Sequence, residues 1–115
     1  MLKANWSNNI EFIEEFNVLL LNRANRVLGI VNISKGGVSG TVVDNKLIFS
    51  AALLANASSI ILSHSHPSGN VKPSQADIQI TQKIKKASEF LDIAILDHLI
   101  LTKASFYSFA DDGKL

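Results

Sequence analysis

The sequence contains no cysteine and only two prolines among its 115 residues. Without cysteine, disulfides, thiolate zinc sites, iron–sulfur clusters and thiol catalysis are excluded, so any metal ion must be held by His, Asp or Glu. The apolar runs at residues 18–21 and 60–62 are far shorter than the roughly 20 residues of a transmembrane helix. The N-terminal residues also lack the apolar region of a secretory signal. We therefore predict a soluble, cytoplasmic protein with no membrane contact.

A marked excess of charge of either sign is also missing. Eleven Lys and Arg balance ten Asp and Glu, which leaves a net charge of +1. Broad electrostatic binding to nucleic acid normally needs a basic excess or stripe, so nucleic acid is an alternative partner that the net charge does not support. The hydrophobic content of 47% is typical of a globular protein. The length predicts a single domain over residues 1–115, and the composition permits a dimer without requiring one.

Local patterns predict an α/β protein with a mixed β-sheet flanked by helices. Strand–helix–strand units favour parallel pairing, and a hairpin adds an antiparallel pair. The first predicted elements are a short helix from Ser7 or Asn8 through Glu15, a hairpin of residues 16–21 and 27–33 with its turn at 22–26, and a glycine-punctuated connection with Gly36, Gly37 and Gly40. They are followed by a helix from the N-cap Asp44 to Asn56-Ala57, a strand at 59–63, a helix from Pro73-Ser74 to about Leu91, a strand at 93–102, and a tail at 105–115 that is loop or a short edge strand.

Two of the three histidines, His64 and His66, directly follow the predicted strand at 59–63. Residues two apart on an extended chain point the same way, so both imidazoles can project to one side. Strand ends are also where open α/β sheets place their ligands. The turn-rich segment that follows can fold back so that Asp77 faces the two rings. Two His and one carboxylate form a common catalytic zinc set with a fourth position open to water.

A simpler interpretation is also available for each of these residues. Two histidines in a polar turn are often plain surface residues. Ser74 and Asp77 match a capping box, in which the serine and an acidic residue three positions on satisfy free backbone N–H groups at the start of a helix. A carboxylate turned back to the Ser74 N–H is less free to bind a metal. The spacing alone leaves both interpretations open.

The sequence closely resembles the RadC-like branch of the JAB/MPN (JAMM motif) metalloprotease family. The similarity spans about residues 11–102. It rests on Glu14-Glu15-Phe16, Gly40-Thr41-Val42-Val43, His64-Ser65-His66-Pro67-Ser68-Gly69, Pro73-Ser74-Gln75-Ala76-Asp77 and Leu96-Asp97-His98-Leu99-Ile100. The resemblance implies a three-layer, cytidine deaminase-like architecture.

The resemblance also implies roles for individual residues. His64, His66 and Asp77 would bind zinc, and Ser74 would hydrogen-bond the tetrahedral intermediate. A glutamate before the first core strand would be the general base, and motif register favours Glu14 over Glu15. The implied function is a zinc-dependent hydrolase that acts on peptide or isopeptide bonds in a peptide or protein substrate.

Two departures from the family pattern bear on the alternatives. Many RadC-like members have Asn between the two histidines, where this chain has Ser65. Full-length members also carry an N-terminal helical region of DNA-binding type, to which nothing in these residues corresponds. The family's DNA-repair label therefore transfers only as a label. The alternative functions are a nuclease or nucleic-acid accessory module, and a catalytically silent interaction domain.

Residues outside the motif are assigned mainly to packing. Asp97-His98 falls in a predicted strand, where we interpret the histidine as structural and hydrogen-bonded within the sheet; the alternative is a wall of the active-site crevice. The aromatic residues near the termini are interpreted as packing that ties the ends to the core, with a peptide- or base-stacking surface as the alternative. They are Trp6, Phe106, Tyr107 and Phe109.

Overall fold

The computed structural model describes residues 13–35 and 43–115. Its elements, in chain order, are β1 (Glu15–Leu21), β2 (Val27–Lys35), α1 (Asn45–Leu54), β3 (Ser59–Ser65), α2 (Gln75–Phe90), β4 (Ala94–Leu101) and β5 (Phe106–Ser108). Within these described ranges, no helix combines the length and the apolar character needed to cross a membrane.

The predicted hairpin is confirmed. β1 and β2 pair in antiparallel fashion. The Asn22 side chain accepts hydrogen bonds from the backbone N–H groups of Ala24 and Arg26 and so holds the loop in shape. Asn25 supplies the left-handed residue of the turn, with φ of 60°, a conformation that asparagine tolerates better than most residues.

The helix predicted to run through Glu15 is wrong at that residue, because Glu15 is the first residue of β1. The strand begins one residue earlier than its apolar pattern indicates, since Glu15 pairs with Lys35 of the neighbouring strand. The rest of that predicted helix lies outside the described residues, as does the glycine-punctuated segment that follows β2.

The predicted mixed sheet is also confirmed. Its strand order is β2-β1-β3-β4-β5. β1 and β3 are antiparallel, β3 and β4 are parallel with α2 as their crossover, and β5 is a short antiparallel strand at the edge. β3 extends two residues beyond its predicted end, to Ser65, so that His64 is part of the strand. This places the histidine pair at the carboxyl end of a central strand.

Both helices pack on one face of the sheet. A continuous apolar core joins Ile48 and Ala52 of α1 and Ile84 of α2 to the side chains of β1 and β3 on that face. These strand residues are Phe16, Val18, Leu20, Ile60 and Leu62. Full burial of each such large apolar side chain stabilises the fold by about 1.5–3 kcal/mol. The described residues therefore make two layers, and the third layer of the predicted architecture is not among them.

Candidate metal centre

The two adjacent histidines of the motif point the same way because the chain stays extended past the end of β3. The backbone N–H of His66 donates to the carbonyl of Leu101 at 3.0 Å, which continues the pairing with β4 by one residue. Side chains alternate along such a chain. The Nε2 atoms of His64 and His66 consequently lie 3.0 Å apart.

Asp77 reaches the same point from the first turn of α2. The predicted capping box is confirmed: Ser74 Oγ accepts from the Asp77 N–H at 3.0 Å, and Asp77 Oδ2 accepts from the Ser74 N–H at 2.8 Å. The same carboxylate places Oδ1 3.2 Å from His64 Nε2 and Oδ2 3.1 Å from His66 Nε2. Capping and membership of the cluster are therefore compatible, because one carboxylate does both.

Glu14 completes a cluster of four side chains with His64, His66 and Asp77, whose ligand-type atoms all lie within 4.8 Å of one another. Glu14 directly precedes β1, and the pairing of Phe16 with His64 brings the start of β1 beside the end of β3. The structure thus brings Glu14, and not Glu15, into this cluster. The role of Glu14 as general base stays a prediction.

Ser65 holds the segment around Glu14 in place. Its hydroxyl donates to the carbonyl of Ile13 at 3.2 Å and accepts from the N–H of Glu15 at 3.0 Å. The two bonds bracket Glu14 from both sides. Because Ser65 stands between the two histidines, one short stretch of β3 fixes both the histidine pair and the neighbouring carboxylate.

The donor set fits a zinc ion. Atoms about 2.0–2.2 Å from a tetrahedral zinc are roughly 3.3–3.6 Å apart, a few tenths of an ångström more than the contacts among His64, His66 and Asp77. His66 Nδ1 lies 2.8 Å from the carbonyl of Asn70, which can only accept, so this nitrogen carries the proton and Nε2 of the neutral ring presents a lone pair. That lone pair lies beside the Asp77 carboxylate, and a cation bound between the two would remove their mutual repulsion.

The electrostatics of the cluster agree with this description. Burial raises the pKa of Asp77, but the neighbouring imidazoles of His64 and His66 outweigh burial and hold that pKa well below its ordinary range. Burial lowers the pKa of His66, while the Asp77 carboxylate, the Asn70 carbonyl and the charge of Glu14 together raise it above the ordinary value. Positive charge is therefore favoured at the centre, on a proton or on a metal ion.

Behind His64 lies a contact that the sequence interpretation missed. His98 is completely buried, with Nε2 2.8 Å from His64 Nδ1 and Nδ1 2.6 Å from Thr81 Oγ1. Burial, followed by the neighbouring His64, lowers the pKa of His98 well below its ordinary value. The histidine is thus hydrogen-bonded to a neighbouring strand as predicted, but its partners are a predicted metal ligand and α2. A third histidine on a neighbouring strand was the available signal.

The two rings of this pair are packed by aromatic side chains. Phe16 stacks on His64 with ring centroids 5.9 Å apart, and Phe109 stacks on His98 at 4.6 Å. Tyr107 meets Phe109 edge-on, which agrees with the predicted packing role of the C-terminal aromatic residues. Phe106 is instead 61% exposed, and Trp6 lies outside the described residues.

Comparison with known proteins identifies the class. The family model of the RadC-like JAB domain matches residues 1–114, and the chain belongs to that family. It is 55% identical over 100 residues to a UPF0758 protein of Flavobacterium johnsoniae, covering 87% of this chain and 44% of the relative. It is 48% identical over 103 residues to a UPF0758 protein of Porphyromonas gingivalis, covering 89% and 45%.

A third relative is the UPF0758 protein YfjY of Escherichia coli, 42% identical over 102 residues, with 89% of this chain and 64% of the relative covered. The chain spans about half the length of the first two of these relatives and just under two thirds of the third. The predicted resemblance to RadC-like proteins is confirmed.

Proposed function

We propose that this chain is a zinc-dependent hydrolase that cleaves an amide bond in a peptide or protein. The observation that carries the proposal is the convergence of two imidazole nitrogens and two carboxylates within 4.8 Å at the end of a central strand. Two His and one carboxylate with an open fourth position are the donor set of a catalytic zinc. A structural zinc would more often have four protein ligands.

His64, His66 and Asp77 would hold the metal ion. A zinc ion bound by such residues acts as a Lewis acid and lowers the pKa of a coordinated water to about 7. His64 and Asp77 are buried, and His66 is half-buried, so the ligands are shielded on the protein side. Burial of this kind strengthens every electrostatic interaction within the site.

Glu14 would be the general base. It would accept the proton of the attacking water and return it to the leaving amine. Glu14 is half-buried at the edge of the cluster, and the charge of its carboxylate contributes to the raised pKa of His66. The two bonds of Ser65 to Ile13 and Glu15 keep this segment of the backbone in register with the histidine pair.

Ser74 would stabilise the substrate oxygen. Its Oγ accepts from the Asp77 N–H, so the hydroxyl hydrogen is free of that bond and can be donated to an oxygen that gains negative charge. The residue is exposed at the start of α2, where a substrate can reach it. The two capping-box hydrogen bonds hold Ser74 beside Asp77, one of the proposed metal ligands.

The test combines zinc content with hydrolysis. Protein purified without chelators is expected to contain one zinc per chain and to cleave members of a library of quenched peptide and isopeptide substrates. A chelator should abolish the cleavage, and added zinc should restore it. Cleavage of DNA in place of amide substrates would favour the nuclease alternative.

The matched variants are Glu14→Gln and Glu15→Gln. Loss of a general base lowers kcat by about 10²–10⁴-fold, so Glu14→Gln should show that loss with an unchanged zinc content. Glu15→Gln should keep its rate, because Glu15 is not in the cluster. A parent protein without stoichiometric zinc, or a fully active Glu14→Gln variant, would refute the proposal.

A further inference from the structure

A continuous line of hydrogen bonds leads from a backbone carbonyl of α2 to the ring of His64. Thr81 Oγ1 lies 2.8 Å from the carbonyl oxygen of Asp77. The same oxygen lies 2.6 Å from His98 Nδ1, and His98 Nε2 lies 2.8 Å from His64 Nδ1. The line therefore begins at one predicted metal ligand, Asp77, and ends at another, His64.

The direction of every bond in this line follows from its first member. A carbonyl oxygen can only accept, so the Thr81 hydroxyl uses its single hydrogen to donate to Asp77. Thr81 Oγ1 must then accept from His98, which places the proton of the neutral ring on Nδ1. His98 Nε2 is left with a lone pair, and it accepts from His64 Nδ1–H.

We propose that Thr81 and His98 are positioning residues that hold His64 in the Nδ1–H tautomer. In that tautomer the Nε2 of His64 carries a lone pair directed at His66 and Asp77, where a metal ion would bind. The opposite tautomer would point an N–H group into the centre and block it. Metal-ligating histidines are commonly fixed by such a bond from their other nitrogen.

The surroundings leave His64 few other ways to place its proton. The ring is only 2% exposed, and Phe16 covers one of its faces. His98 is held in turn by the stacked Phe109 ring. Because the line starts at the Asp77 carbonyl, the first turn of α2 fixes both the carboxylate ligand and the tautomer of the histidine that faces it.

The first test determines the tautomers of His64 and His98 in the metal-free parent protein. Two-bond ¹H–¹⁵N correlation spectra of the imidazole rings show which nitrogen carries the proton. We expect both His64 and His98 to carry their proton on Nδ1, with Nε2 unprotonated. A His64 ring with its proton on Nε2 would overturn the inference. This measurement needs no zinc, so it decides the inference separately from the proposed function on which it rests.

The second test is zinc affinity in variants of Thr81. Thr81→Val keeps the shape but removes the hydroxyl, and zinc affinity should fall about 10–100-fold, as for other lost outer-shell partners. Thr81→Ser keeps the hydroxyl, so it should have the zinc affinity and the His64 tautomer of the parent protein. Thr102→Val is the matched control, because buried Thr102 uses its hydroxyl on Ser105 beyond the end of β4.

The outcomes separate the two ideas. A folded Thr81→Val variant with parental zinc affinity and parental tautomers would overturn the positioning role while leaving the metal centre intact. A parent that binds no zinc would overturn the proposed function, and the tautomer spectra would still decide the inference. If Thr81→Val does not fold, the spectra of the parent and of Thr81→Ser decide it.

Discussion

Asp77 and Asp97 are both hydrogen-bonded carboxylates next to a histidine, but their surroundings differ in kind. Asp97 Oδ1 accepts from the backbone N–H of His98 at 2.7 Å and of Ala110 at 3.0 Å, and Oδ2 accepts from the Ser108 hydroxyl at 2.5 Å. All of these partners are donors. Asp77 has a donor in the Ser74 N–H, but its other neighbours are the Nε2 atoms of two histidines.

The difference separates a structural carboxylate from a proposed metal ligand. Asp97 is satisfied by the protein itself and connects β4 to Ser108 at the end of β5 and to Ala110 beyond it. The carboxylate oxygens of Asp77 and the Nε2 atoms of His64 and His66 lie 3.0–3.2 Å apart, an arrangement that favours a cation at the centre. In both places the residue type and the neighbouring histidine are alike, so only the polarity of the partners distinguishes the roles.

The largest effect on zinc affinity is expected for Asp77→Asn. The amide oxygen can still accept from the Ser74 N–H and keep the helix cap, but the charge is lost. Zinc affinity should fall roughly 100-fold or more, beyond the 10–100-fold range of an outer-shell partner. Competition against a chromophoric chelator measures it. An affinity within threefold of the parent's would show that Asp77 is not a ligand.

Asp97→Asn should have the opposite profile. Replacing one acceptor oxygen by an NH₂ group places a donor against donors, which costs about 1–3 kcal/mol of unfolding free energy. Urea unfolding measures that loss. Zinc content and affinity should stay at the parental level, and a loss of zinc in the folded variant would contradict the structural role of this carboxylate.

The smallest effect is expected for Ser65→Ala. Loss of its two bonds to the segment around Glu14 should destabilise the chain by about 1 kcal/mol and, by loosening Glu14, lower kcat by about 10-fold. Ser63→Ala is the matched control. The buried Ser63 hydroxyl also donates to β1, but to the carbonyl of Asn17, which lies farther from the cluster. This variant should lose similar stability with no effect on kcat. Equal rates in both variants would remove the positioning role of Ser65.

Features governed by local rules could be predicted from the sequence. The alternation of an extended chain predicted that His64 and His66 share a side, and the spacing of Ser74 and Asp77 predicted the capping box. The choice between Glu14 and Glu15 needed more, because it depends on which face of β1 is turned toward the end of β3. Motif register indicated a preference, and only the strand pairing placed the carboxylate.

The line from Thr81 through His98 to His64 could not be predicted locally. β3 and β4 pair in parallel, with a shift of one residue after Ile60 that sets His98 opposite Leu62, on the face covered by the helices. Without this shift, His98 would point to the other face, because a slip of one residue reverses every side chain of a strand. No local signal specifies such a shift. The bonds of Asp97 likewise join residues brought together only by the edge pairing.

The most direct test of the proposed metal centre is a crystal structure of the protein grown with zinc, with an anomalous difference map recorded at the zinc absorption edge. We expect a single strong peak about 2.0–2.2 Å from His64 Nε2, His66 Nε2 and an oxygen of Asp77. The Asp97 carboxylate should show no peak. A map without density among these three side chains, or with its main peak elsewhere on the chain, would contradict the metal centre.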